Sequence, residues 1–89
     1  MRLDGKVHGT LVKNKDGREI PEDEFVVFRP ADNAFAKILD QYLTTLVIDG
    51  ASAEQIDAVV KLIGRIRKWR QEHPDRCKVP DVEPGELQT

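Results

Sequence analysis

Two arginines stand where an anionic ligand could be held. Arg29 closes the run Phe25-Val26-Val27-Phe28 and is followed by Pro30-Ala31-Asp32. Phe and Val suit a pleated, half-buried surface, so 25–29 is expected to be a strand. Pro30 lacks an amide and biases Arg29 towards extended backbone. Asp32 is a good N-cap for the apolar, helix-spaced segment that follows. A guanidinium and the open amides of a helix N-terminus thus meet at one corner, which is anion-binding chemistry. Arg29 has a competing role as the ion-pair partner of Asp32 or of the acidic loop before it. Arg76 and Lys78 follow a second helical segment, and guanidinium is suited to bidentate phosphate contact. Phe28, Phe35, Tyr42 and Trp69 are available to stack on a ligand ring, with core packing as the competing role.

No group of residues has the makings of a catalytic centre. Ser52 is explained as a helix cap. Cys77 lies between Arg76 and Lys78, cations that favour thiolate, but it is the only cysteine and has no resolving partner. Glu22, Asp23 and Glu24 form a run of like charges that belongs in water. Gly5, Gly9 and Gly17 fit a hairpin rather than a phosphate loop. His8, His73 and Cys77 have no zinc-ligand spacing. The protein therefore reads as a non-enzyme that needs neither metal nor cofactor.

At 89 residues the chain fits one small domain. A core of that size contributes little stability and no intrachain disulfide can help, so self-association is the expected source of extra buried surface. Charges are nearly balanced, with 14 basic and 16 acidic side chains and a formal net of −2. That balance argues against a dedicated nucleic-acid coat. The distribution is uneven, because Lys61, Arg65, Arg67, Lys68, Arg70, Arg76 and Lys78 outnumber Glu72 and Asp75 across 61–78. Such a basic segment behind an acidic front suits a small anionic ligand or head-to-tail self-association. No run is long and apolar enough to span a membrane, and the amino terminus lacks a signal-peptide core. Together with the unpaired cysteine, this makes the expected location the cytoplasm.

The elements that must position these residues form an α+β arrangement. A small antiparallel sheet of two or three strands is expected within 6–29, from Lys6–Val12, Arg18–Ile20 and Phe25–Arg29. Asn14-Lys15-Asp16-Gly17 supplies its hairpin turn. An antiparallel two-helix hairpin is expected over 32–73. Its first helix runs from about Asn33 to Ile48 and ends at Gly50. Its second is opened by the capping box Ser52-Ala53-Glu54-Gln55 and stops before Pro74. The proline-rich segment 74–89 is expected to be an extended tail.

Val27-Phe28-Arg29-x-x-Asp32, an apolar helix with Tyr42, Gly50-Ala51, a second helix ending in Trp69, and His73-Pro74-Asp75-Arg76-Cys77-Lys78-Val79-Pro80-Asp81 resemble, over roughly 25–81, small proteins encoded by bacteriophages. More distantly, the chain resembles the first Thoeris anti-defence family. That resemblance implies a sheet followed by two long helices, assembled into dimers or hexamers. It also implies a sponge, which binds cyclic ADP-ribose isomers or cyclic oligonucleotides without cleaving them, in pockets between subunits. On that basis Arg29 and Arg76 are the candidate phosphate ligands. Asp32 and Lys78 lie beside them, and Phe35 or Trp69 is the stacking aromatic. The front of this chain is shorter than the family pattern implies, which puts the full sheet in question. The alternative is an interaction module that inhibits a host protein through its basic second helix.

Overall fold

The computed structural model describes residues 9–81. The chain divides into two compact units, Met1–Phe28 with Asp81–Thr89, and Arg29–Pro80.

In the first unit, β1 (Leu11–Val12) pairs antiparallel with β2 (Glu19–Ile20), Leu11 opposite Ile20 and Val12 opposite Glu19. The Lys13 amide donates to the Arg18 carbonyl and the Gly17 amide to the Lys13 carbonyl, each at 2.8 Å. Asp16 Oδ1 accepts from the Arg18 amide at 3.0 Å. Gly17 sits at φ +72, a left-handed conformation that its missing side chain makes easy. The Asp-Gly signal therefore marks the hairpin, but as the end of a four-residue loop. Residues 6–8 of the expected first strand lie outside the described residues, and so does 82–89 of the expected tail.

The expected third strand is not formed among the described residues. Phe25 is extended, at φ −138 and ψ 157, yet their sheet has two strands and Val26, Val27 and Phe28 are exposed. Two features account for this. A 3-10 turn at Glu22–Glu24 replaces the tight reverse turn that would return the chain to the sheet. Among the described residues the β1–β2 ladder is also only two residue pairs long, so it offers a third strand little to pair with. Residue type favours a strand here, but pairing decides whether one forms.

The second unit is the helical hairpin, α1 (Asn33–Ile48) and α2 (Ala53–Glu72). Asp32 caps α1 by accepting from the Phe35 amide at 2.9 Å. Ser52 caps α2 by accepting from the Gln55 amide at 3.1 Å. At the end of α1, Gly50 lies at φ +82. The Ala51 amide donates to Leu46 and the Gly50 amide to Val47. These are the two bonds of a Schellman ending, which satisfies the last carbonyls of the helix. The core between the helices is Leu39, Val59, Ile63 and Ile66, with Phe35, Leu43 and Leu46 packed against it.

After α2 the chain is not simply extended, as 74–89 was expected to be. Pro74–Arg76 make one 3-10 turn with Pro at its start, where a missing amide costs nothing. Extended backbone follows at Cys77. Lys78 then forms a parallel bridge with Asp32.

Gly64 lies within α2, and a Cβ built on it meets nothing within 4 Å. Glycine inside a helix is less favourable than alanine by about 1 kcal/mol. Gly64→Ala should therefore raise the unfolding free energy by about that amount, read as a higher midpoint in urea or heat. A lower midpoint would mean that the site is covered by something other than this chain.

Candidate functional site

The corner that joins the two candidate arginine segments is built from backbone. The Lys78 amide donates to the Ala31 carbonyl, and the Asn33 amide donates to the Lys78 carbonyl, both at 3.0 Å. The segment carrying Arg29 and Asp32 therefore runs beside the segment carrying Arg76 and Lys78, at the end of the hairpin away from Gly50. Both segments belong to the second unit.

This clasp changes what the start of α1 can offer an anion. The Asn33 amide is taken by Lys78, and the Phe35 amide by the Asp32 carboxylate. Two donors that a free helix N-terminus would present are thus satisfied internally, one of them by a carboxylate. Any anion held at this corner must rely on side chains more than on helix amides.

Arg29 is exposed and its side chain has no hydrogen-bond or ion-pair partner among the described residues. The pairing with Asp32 that its position allows is not made. Arg76 is also exposed. Its guanidinium carbon lies 5.1 Å from the centroid of a Trp69 ring, a cation–π contact. Trp69 is half-buried and stacks on His73, with ring centroids 4.3 Å apart and 24° between planes. His73 Nδ1 donates to the Trp69 carbonyl at 2.8 Å, and the Cys77 thiol donates to the His73 carbonyl at 3.4 Å. Trp69 thus already has two stacking neighbours from its own chain. Phe35 is half-buried and packs on the hairpin core. Lys78 enters the corner through its backbone. No group of three or more metal-ligating side chains occurs among the described residues, and none of their helices is long and apolar enough to cross a membrane.

Arg70 carries a structural role that its residue type did not reveal. Nη1 donates to the Pro30 carbonyl at 3.0 Å and Nη2 to Asn33 Oδ1 at 2.8 Å, both partly buried. It therefore ties the end of α2 to the start of α1, alongside the Lys78 clasp. Arg67 spans the same two helices with a two-pronged contact to Asp40, at 2.8 and 2.9 Å. With Lys61 paired to Asp57 at 2.9 Å, three cations of the basic segment are thus engaged within the chain, which leaves fewer for nucleic acid or a docking partner.

No protein-family model matches the chain, and no curated protein or solved structure does either.

The two arginine contacts differ in burial, and the difference sets their weight. Charge-assisted hydrogen bonds to partly buried groups contribute about 1.5–3 kcal/mol, whereas exposed ion pairs contribute about 0.2–1 kcal/mol. The Arg67–Asp40 pair is of the second kind, with 57% and 74% of its side chains exposed. Arg70→Ala should lower the unfolding free energy by about 2 kcal/mol in urea titration, and Arg67→Ala by about 0.5 kcal/mol. The reverse order would remove Arg70 from its role as the tie.

Proposed function

We propose that this protein sequesters a small anionic nucleotide, a cyclic ADP-ribose isomer or a cyclic oligonucleotide, without cleaving it. It would act as a phage-type anti-defence sponge in the cytoplasm of a host cell. The observation that carries the proposal is the clasp at Lys78. It sets the segment bearing Arg29 beside the segment bearing Arg76, while neither guanidinium is bonded to a carboxylate of the described residues. Two separated phosphates, or one phosphate and a base edge, are the chemistry such a pair would meet. Sequestration needs complementary charge and shape but no activated water or nucleophile. A homo-oligomer that completes the pocket from a second subunit belongs to the same proposal.

The alternative, docking on a host protein through the basic face of α2, keeps Arg65 and Lys68 as its exposed cations. It loses Arg67 and Arg70 to contacts within the chain.

Isothermal titration of the intact protein against cyclic ADP-ribose isomers and cyclic di- and trinucleotides tests the proposal. Heat and saturation are expected with at least one of them, and recovery of the ligand chemically unchanged. Arg29→Ala and Arg76→Ala should keep their helical circular dichroism and bind at least about tenfold more weakly, which is the loss of one good ionic contact. No heat from a folded protein with any ligand, or full affinity in both variants, would overturn it.

A further inference from the structure

His73 follows the last turn of α2 and is held at both its ring and its backbone. Its carbonyl accepts from the Arg76 amide at 3.0 Å and from the Cys77 thiol at 3.4 Å. Its ring stacks on the Trp69 indole, and Nδ1 lies 2.8 Å from the Trp69 carbonyl. A carbonyl oxygen only accepts, so Nδ1 carries its proton whether the ring is neutral or charged. The proton that titrates is therefore the one on Nε2, which comes and goes without breaking the anchor. What protonation changes is the charge on a ring stacked against Trp69.

Trp69 already holds a cation. The Arg76 guanidinium lies over the same indole, and a cation–π contact at an exposed site is weak. The two neighbours of the indole are tied differently. His73 is half-buried and bonded through Nδ1, whereas the Arg76 side chain is exposed and has no hydrogen-bond or ion-pair partner among the described residues. The other charged groups around this corner are placed as follows. Arg70 is bonded to Pro30 and Asn33, and Asp32 accepts from the Phe35 amide. Lys78 meets α1 through its backbone. Arg65, one turn before Trp69, and Glu72 and Asp75 are exposed without an ion-pair partner among the described residues. By helical spacing Lys37 and Lys68 lie on the sides of their helices away from the core.

We propose that His73 is a proton-operated switch for Arg76: a neutral ring leaves the guanidinium seated on Trp69, and an imidazolium in the same stack displaces it into water. Two cations on one indole repel each other and share one source of attraction. The guanidinium is the one that leaves, because it is exposed and otherwise unbonded, whereas the imidazole is anchored. The backbone stays in place, since the Trp69 carbonyl keeps its donor and the His73 carbonyl keeps the Arg76 amide. The element with two states is thus one side chain, biased by one charge. The switch stands on the geometry of the corner alone, whatever the corner binds.

Proton NMR of the intact protein from about pH 8 to about pH 5, the range in which an imidazole titrates, is the test. Trp69 is the only tryptophan, so its indole signals identify themselves. Nuclear Overhauser contacts between the Arg76 side chain and that indole are expected at the upper end and should be lost towards the lower. The loss should share its midpoint with the His73 ring protons. His73→Phe, which keeps a flat ring without a charge, should hold Arg76 on the indole throughout, and His8→Gln should leave the transition unchanged. If His73→Phe loses its helical circular dichroism, coincidence of the Arg76 and His73 transitions in the unaltered chain decides. An Arg76 still seated at the acid end, a release whose midpoint departs from that of His73, a release that persists in folded His73→Phe, or its disappearance in His8→Gln overturns the proposal.

Discussion

Two backbone hydrogen bonds at Lys78 hold the second unit in its form. A helical hairpin has one end closed by its connection, here the Schellman ending at Gly50, and one end open. The open end is where α1 begins and α2 finishes, and neighbouring helices there are free to splay. The clasp between Lys78 and the Ala31–Asn33 stretch closes it, and Arg70 reaches across from α2 to Pro30 and Asn33 as a second tie. Each backbone bond contributes about 1 kcal/mol net. That is small against a large core but matters here, because the buried apolar side chains of the hairpin number four.

A core of that size constrains everything around it. Leu39, Val59, Ile63 and Ile66 are buried, yet Ile38, Tyr42, Val47, Val60 and Leu62 remain exposed on the same two helices. Each helix carries a wider apolar stripe than a single antiparallel partner can cover, because two cylinders touch along one line.

The parts of the fold legible in the sequence are those set by local chemistry. Asp32 and Ser52 cap their helices through contacts three residues away, and Gly50 and Gly17 take the positive φ that their neighbours imply. The α+β order follows from these signals and from apolar spacing. The parts that escaped are set by partners distant in the chain. Phe25–Phe28 has strand composition, but strand formation needs an edge to pair with, and the two-residue ladder offers little of one. Arg70 read as one cation of the basic segment 61–78, while its donors reach residues some forty positions earlier. Asp32 was legible as a cap. That its neighbour Asn33 would give its amide to Lys78 was not, because nothing local links residues so far apart. Only the 3-10 turn at Pro74 carried a missed local signal: proline at a first helical position, with Asp75 in the first turn.

The stacked pair at the corner bears directly on the proposed sequestration. Trp69 has His73 against its ring and the Arg76 guanidinium over it, so a ligand base does not meet a bare indole. A guanidinium lying on an aromatic ring is held by its face, whereas its N–H donors point outward in its own plane. The contact with Trp69 restrains the Arg76 side chain, which would lower the entropy lost on binding a ligand. Arg29 has no such support among the described residues. The two arginines would then divide the work: Arg76 as the pre-oriented contact, and Arg29 as the one that closes onto the ligand. In such a site the base stacks on a surface other than Trp69, and the natural place to seek that surface is the neighbouring subunit.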